Sequence, residues 1–333
     1  GISGHVWNRR DVPGRGSSRP ARRAEPGPTV EFEFGAAFTT IRRIPLWADP
    51  GEQLTVTDLL PSASGLFWMA DAAAGELKIY SQDGRRLRTL GREITGLSCP
   101  VSLTSLHGRW VAVLDGDRPR VCILDEAGKR QRHFQLPEID RAYQLCNLGD
   151  RTLAVIGRGW GLAAGRIVHL YEPTGGYVES LFREPSDTDG DGRAYAATEG
   201  HVLYLADSRS DSFTTYDLRD CSVLSFPRLT ACRDTGRSRT LQGLFVTGCA
   251  EVVAVSAEDG GVGYIYDLYA LSGRPIALGL RSPERIVALE GSLFYSVRVS
   301  PDRRPTVRVW RLRYEVTGSM NGTATVAGSA RED

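Results

Sequence analysis

The sequence predicts an all-β chain, a six-bladed β-propeller of four-stranded antiparallel blades whose ring is closed by an N-terminal strand. Three observations carry this. A unit of short strands recurs along the chain. Its turn glycines Gly84, Gly128 and Gly175 fall about 45 residues apart, the spacing of four-stranded blades. The last unit lacks a fourth strand, while a segment that ends like the fourth strands elsewhere, Ile41–Leu46, precedes the first unit.

The first unit shows the pattern. Thr55–Leu60 leads, and Leu66–Ala70 is a nearly continuous apolar run, as in a strand covered on both faces. Asp71–Gly75 is a small-residue loop, and Glu76–Tyr80 alternates polar and apolar residues. Asp83-Gly84 signals a tight hairpin, because Gly takes the positive φ such turns need, and Arg86–Leu90 alternates again. Such a unit cannot bury its own faces and needs neighbours of its kind. Further units follow at residues 101–136, 143–182, 195–226 and 241–280. The sixth starts at Arg285, with strands at Leu293–Val297 and Val307–Tyr314. Val30–Phe34 also reads as a strand. The expected organisation is an extended Arg/Pro/Gly-rich arm at 1–29, a propeller at 30–315 and a tail at 316–333.

Composition is that of an ordinary globular chain, and a formal net charge of +1 gives no case for nucleic acid. The charge is uneven. Arg9, Arg10, Arg15, Arg19, Arg22 and Arg23 stand against two acidic residues in the arm. Only Lys78 and Lys129 break an otherwise all-arginine set of basic residues, and Arg favours planar, bidentate contacts. No apolar run is long enough for a transmembrane helix. The start at Gly1 without Met fits either a removed secretory leader or a trimmed chain. The six cysteines show no CxxC spacing, which excludes a zinc ribbon. Cys221 and Cys232, which flank one connection, are the best candidates for a disulfide.

Asp71 with Leu77–Tyr80 and Asp83-Gly84 resembles an NHL-type repeat, and Trp110–Asp115 and Val202–Asp207 match similarly. Arg88–Glu93, RTLGRE, resembles the blade junction of bacterial six-bladed propellers, many of them exported. The resemblance covers roughly residues 40–315 and departs where Gly157, Ser256 and Ser296 replace the aspartate. It implies an extracytoplasmic protein. Its binding surfaces would be the channel and the face that gathers the loops from second to third strands.

On that face the sequence offers Asp71, Asp115, Arg158, Asp207, Glu258 and Arg298. The plain reading of the aspartates is that each caps its own loop. Asp187, Asp189 and Asp191, with Gly192, have the alternating spacing that folds carboxylates around Ca²⁺. The same stretch also reads as a solvated acidic loop, since Thr198 stands where an EF-hand needs its twelfth ligand. Asp58, Asn147, Glu199 and Gln242 fall on leading strands, where they either approach an axial cation or line a water-filled channel. The histidines (His5, His107, His133, His169, His201) are not placed to converge there. Trp68, Trp110 and Trp160 are core packing or a ligand platform. Arg233, Arg237 and Arg239, with the arm arginines, are the expected partner-binding residues.

The expected function is a non-catalytic, protein-binding propeller. It would act as an extrinsic scaffold or stabilising subunit of a larger complex, periplasmic and peripheral on a membrane, with a bacterial photosynthetic reaction-centre and antenna assembly as a specific case. The alternative is a metal-dependent hydrolase or lyase working at the channel mouth.

Overall fold

The computed structural model describes residues 33–49, 52–149, 151–183, 193–207, 212–227, 239–249, 251–258, 263–300 and 303–317. The chain begins with a long strand, β1 (Glu33–Pro45). Five blades follow in order. They are β2–β5 (Val56–Pro61, Phe67–Asp71, Glu76–Tyr80, Arg86–Leu90), β6–β9 (Pro100–Leu106, Trp110–Asp115, Arg120–Asp125, Arg130–Gln135) and β10–β13 (Ile139–Asn147, Leu153–Gly159, Arg166–Tyr171, Tyr177–Arg183). Then come β14–β17 (Ala194–Glu199, Val202–Asp207, Ser212–Asp217, Ser222–Pro227) and β18–β21 (Arg239–Val246, Glu251–Glu258, Tyr264–Ala270, Pro275–Ser282). The sixth blade is β22 (Ile286–Glu290), β23 (Leu293–Ser300) and β24 (Arg303–Thr317), completed by β1. All sheet pairings are antiparallel, and the innermost strands β2, β6, β10, β14, β18 and β22 touch in a closed circle.

The predicted closing strand pairs as expected: Ile44 lies opposite Val307 and Arg42 opposite Val309. The seam is longer than the sequence suggested, because β1 runs unbroken back to Glu33, opposite Thr317. The predicted strand at Val30–Phe34 is therefore part of β1 where it is described. Leu46 falls just past the strand, but its N–H still donates to Pro305 O at 2.8 Å.

Residue alternation explains why the blades need one another. In β3, Phe67 and Met69 join a core cluster with the sixth blade, while Trp68 and Ala70 join one with the second. Each of the six interfaces has one such cluster. The continuous apolar run of a second strand is thus two half-faces of opposite address. Each fully buried aliphatic or aromatic residue contributes about 1.5–3 kcal/mol, so the ring is held chiefly by contacts between blades.

The turn glycines add a second repeat of contact. A Cβ on Gly84 would lie 2.1 Å from Pro45 O, and its φ of +83° already favours glycine. Trp47 N–H donates to Gly84 O at 2.9 Å, which fastens the end of β1 onto the first blade. Gly128, Gly175 and Gly273 press in the same way on Leu90, Phe134 and Phe226, each from the outermost strand of the preceding blade. Ile44 and Pro45 hold that position for the sixth blade, so β1 behaves as a true fourth strand.

Supplying the described circle with a break tests the seam. A chain lacking residues 33–45 should lose its cooperative unfolding transition, and a Glu33–Pro45 peptide added in trans should restore it. Unchanged urea unfolding of the shortened chain would show that the seam is dispensable.

Candidate functional site: the channel and the loop-bearing face

Asp71 and Asp115, which end the second strands of the first two blades, are buried latches. Asp71 is fully buried; Oδ1 accepts from the N–H of Thr55 on the incoming chain and of Ala74 in its own loop, both at 3.3 Å. Its Oδ2 accepts from Lys78 Nζ at 2.6 Å. Asp115 likewise accepts from the N–H groups of Ser98 (2.9 Å), Cys99 (3.1 Å) and Asp117 (3.3 Å), and pairs with Arg120 at 2.8 Å. The expected loop capping is present, and the same carboxylate also holds the chain entering the blade.

Lys78 is 1% exposed and meets Asp71, Glu52 (3.2 Å) and Glu76 (3.1 Å). Burial alone would push its ammonium pKa down, but these hydrogen bonds hold it above the usual value. Glu52 also pairs with Arg86 at 2.7 Å, and Arg86 reaches Asp49. Burial would raise the Glu52 carboxyl, yet the Asp49 N–H, Lys78 and Arg86 together keep it below its ordinary range. The network ties the segment after the closing strand to the first blade.

The departures from the repeat are matched by changes on the third strand. The position opposite the residue two before the latch carries Lys78, Cys122, His169, Asp267 and Trp310 in five blades. Where Gly157 replaces the aspartate, buried His169 faces its carbonyl at 3.4 Å and Ser180 Oγ at 2.7 Å. Desolvation lowers the pKa of this histidine. Where Ser296 replaces it, Trp310 Nε1 donates to the serine at 2.7 Å and the serine donates to Glu284 at 2.6 Å. In the fifth blade, beside Ser256, Asp267 lies 3.5 Å from Arg239. Arg239, expected on a basic partner-binding loop, is the first residue of β18, and its side chain is only 5% exposed. It belongs to the interior of its blade.

The four leading-strand residues do not converge. Asp58 and Gln242 lie near the end of the channel where the innermost strands begin, whereas Asn147 and Glu199 close β10 and β14 at the other. From the level of Asp58 to that of Asn147 is three residues, or about 10 Å at 3.3 Å per residue. Among the described residues no group of three or more His, Cys, Asp or Glu side chains is placed to hold a metal. Asp58 instead binds the next blade: Oδ2 accepts from Leu103 N (2.7 Å) and Ser102 Oγ (3.0 Å), and Oδ1 from Leu59 N (2.8 Å). Ser102 Oγ in turn accepts from Leu145 N at 3.1 Å, and Gln144 clasps Ala196 N and O at 2.9 and 2.6 Å. Side chains of one innermost strand satisfy the backbone of the next across the first four blades. Channel polarity is in this respect a stitching device.

Asp187, Asp189, Asp191, Arg233, Arg237 and the arm arginines lie outside the described residues. So does Cys232, while Cys221 is a free, exposed thiol. Trp68 is buried in the core; Trp110 is 42% exposed at a hairpin.

Exposed apolar residues gather elsewhere. In the third blade β10 and β11 pair as far as Ile139 opposite Gly159, beyond the latch position of Gly157. A 3₁₀ turn, Gly161–Ala163, tops this extension. Trp160 is 67% exposed and Leu162 wholly so, although the loop is held by Trp160 N–H donating to Glu138 O at 2.6 Å. Arg141 and Arg158 are exposed and face each other across the extension. Arg193, stacked 5.5 Å from the Tyr143 ring, and Arg285, bonded to Gln242 O at 2.9 Å, stand at the same end of the channel. The sequence offered Trp160 as core packing or a ligand platform, and its exposure excludes core packing; the signal for the projection is the lengthened stretch between the two strands.

No protein-family model and no curated protein matches the sequence. Solved structures do match in fold. A catalytically inactive virginiamycin B lyase from Staphylococcus aureus, solved with quinupristin, is 12% identical with a TM-score of 0.57, covering 83% of this chain and 99% of that one. Regucalcin from Agrobacterium tumefaciens, described as calcium-binding, is 15% identical with a TM-score of 0.53, covering 85% and 98%. A Bacteroides fragilis protein described as exported is 9% identical with a TM-score of 0.57, covering 85% and 95%. At these identities the likeness is one of fold. The NHL-type resemblance has no family match behind it; the six-bladed architecture is what the solved structures share with this chain.

Asp58 yields a pH test. Burial pushes its carboxyl up to about 6, against the hydrogen bonds from Leu103, Leu59 and Ser102 and the charge of Arg285, which lower it. The folded chain therefore holds this proton more tightly than the unfolded chain, whose value is about 3.9. This group should make stability fall as pH rises from about 4 to about 6. Urea unfolding across that range should show the slope, and Asp58→Asn should flatten it. A carboxyl found by NMR titration near 4 would refute the assignment.

Proposed function

We propose that this chain is a non-catalytic, protein-binding propeller, an extrinsic scaffold or stabilising subunit of a larger assembly, docked through the face that bears the Trp160 loop. The projection of Trp160 and Leu162 beyond the third blade supports this most directly. A large aromatic side chain left in water beside Arg141 and Arg158 has the make-up of an interface anchor, since Trp and Arg dominate the residues that carry binding energy. The loop is backbone-bonded at Trp160 and Ala163, so little ordering cost opposes docking. The surrounding arginines favour an acidic partner surface.

An extracytoplasmic setting is in keeping with the exported neighbour, and no helix among the described residues is long and apolar enough to cross a membrane. A membrane-bound assembly would supply the partner. A bacterial photosynthetic reaction-centre and antenna complex is the narrowest form of this reading.

Trp160→Ser combined with Leu162→Ser tests the proposal. Both side chains are exposed, so the melting temperature should stay within about 2 °C of wild type. Native mass spectrometry of gently purified material should show stoichiometric companions with wild type and at least a tenfold loss with the double variant. Companions retained at full occupancy would remove this face from the interface.

A further inference from the structure

Among the described residues the outermost strand of every blade has one edge with no strand beside it, and proteins protect such edges with charges or bulges. Five of the six outer strands here have both. Each pairs with its neighbour through a register shift, and each contains a charged residue: Arg42 in β1, Arg88 in β5, Arg132 in β9, Glu179 in β13 and Arg281 in β21. The shifts also account for lone exposed apolar residues, because Ile41, Leu87 and Val178 are the extra residues at three of them.

β17 has neither protection. Its sequence, SVLSFP, carries no charge, and it pairs with β16 residue for residue from Ser212–Pro227 to Asp217–Ser222 without a shift. Val223 and Leu224, which alternate to opposite faces, are 52% and 57% exposed with no bulge to explain it. This is a straight, uncharged, apolar edge on a sheet whose other strands are paired.

We infer that β17 is a self-association edge that pairs antiparallel with β17 of a second copy of this chain. A two-fold axis normal to the sheet keeps each face on its own side, so the axis must pass through a residue. With Leu224 on the axis, Leu224 meets Leu224 of the second copy, Val223 lies opposite Ser225 and Ser222 opposite Phe226. No charges are set against each other. The same operation on β5 about its middle residue would place Arg88 against Arg88, which is destabilising. On this criterion charge favours β17 over β5 for contact with its own copy. Six-residue edges make a smaller contact than the roughly 1,200–2,000 Å² of a stable complex, so the dimer is weak and concentration-dependent. It uses the perimeter and leaves the Trp160 face free.

Sedimentation velocity on the full chain over a concentration series should show a reversible monomer–dimer equilibrium. Leu224→Lys, at an exposed position, should leave circular dichroism and melting unchanged while weakening dimerisation at least tenfold. In a Cys221→Ser background, Leu224→Cys should cross-link to itself on oxidation and Ser222→Cys should not. A monomer at every concentration, a dimer that Leu224→Lys leaves intact, or a strand of a different protein found on this edge would overturn the inference.

Discussion

The pairing of β1 with β24 is the contact on which closure of the ring depends, because it completes the sixth blade with a strand that leads directly into the first. Each blade offers its two faces to two neighbours, and each core cluster draws on both sides of one interface. Were the seam unmade, the cluster containing Ile44, Val307 and Val309 would open first, exposing apolar surface on the first and last blades together. Loop-closure entropy opposes joining strands this far apart in sequence, but it grows only slowly with length. The 13-residue β1, the Gly84 contact and the Lys78–Glu52–Arg86 network act against it at three successive points along the chain.

That demand for cohesion has consequences for function. Asp71 and Asp115, which an NHL-type pattern would offer to a ligand, are occupied in holding the incoming chain, and in two other blades Gly157 and Ser296 stand in similar hydrogen-bonded sets with His169 and Trp310. Asp58, the most perturbed carboxyl of the innermost strands, already accepts three hydrogen bonds. Polarity inside the ring is largely committed to structure. Among the described residues, two outer features stay open to other molecules: an aromatic loop on one face and an uncharged edge on the rim.

The two outer features suit different tasks. The Trp160 loop combines apolar area with nearby arginines, and so fits a partner of complementary charge. The β17 edge has no charge with which to choose a partner and depends on backbone pairing. A ring that meets a different protein with its face and its own kind with its edge could array copies around an assembly.

The architecture was legible in the sequence because its causes are local and periodic. Alternation of apolar residues, a hairpin glycine every blade and a missing last strand are each visible along the chain, and Ile41–Leu46 was recognisable by its ending. The start of β1 was not, since Gly35-Ala36-Ala37 has neither alternation nor β-branching and becomes strand only because β24 lies beside it. Site residues were the least legible. Asp58 and Asn147 look alike as polar residues on leading strands, but strand position separates them by about 10 Å along the channel. Arg239 reads as part of a basic loop, yet Asp267, nearly thirty residues away, takes it indoors. Sequence by itself determined the repeat and the order of the strands, because those follow from neighbours along the chain. Tertiary structure decided which polar groups are satisfied internally and which edge is left bare, because each depends on what another blade brings alongside.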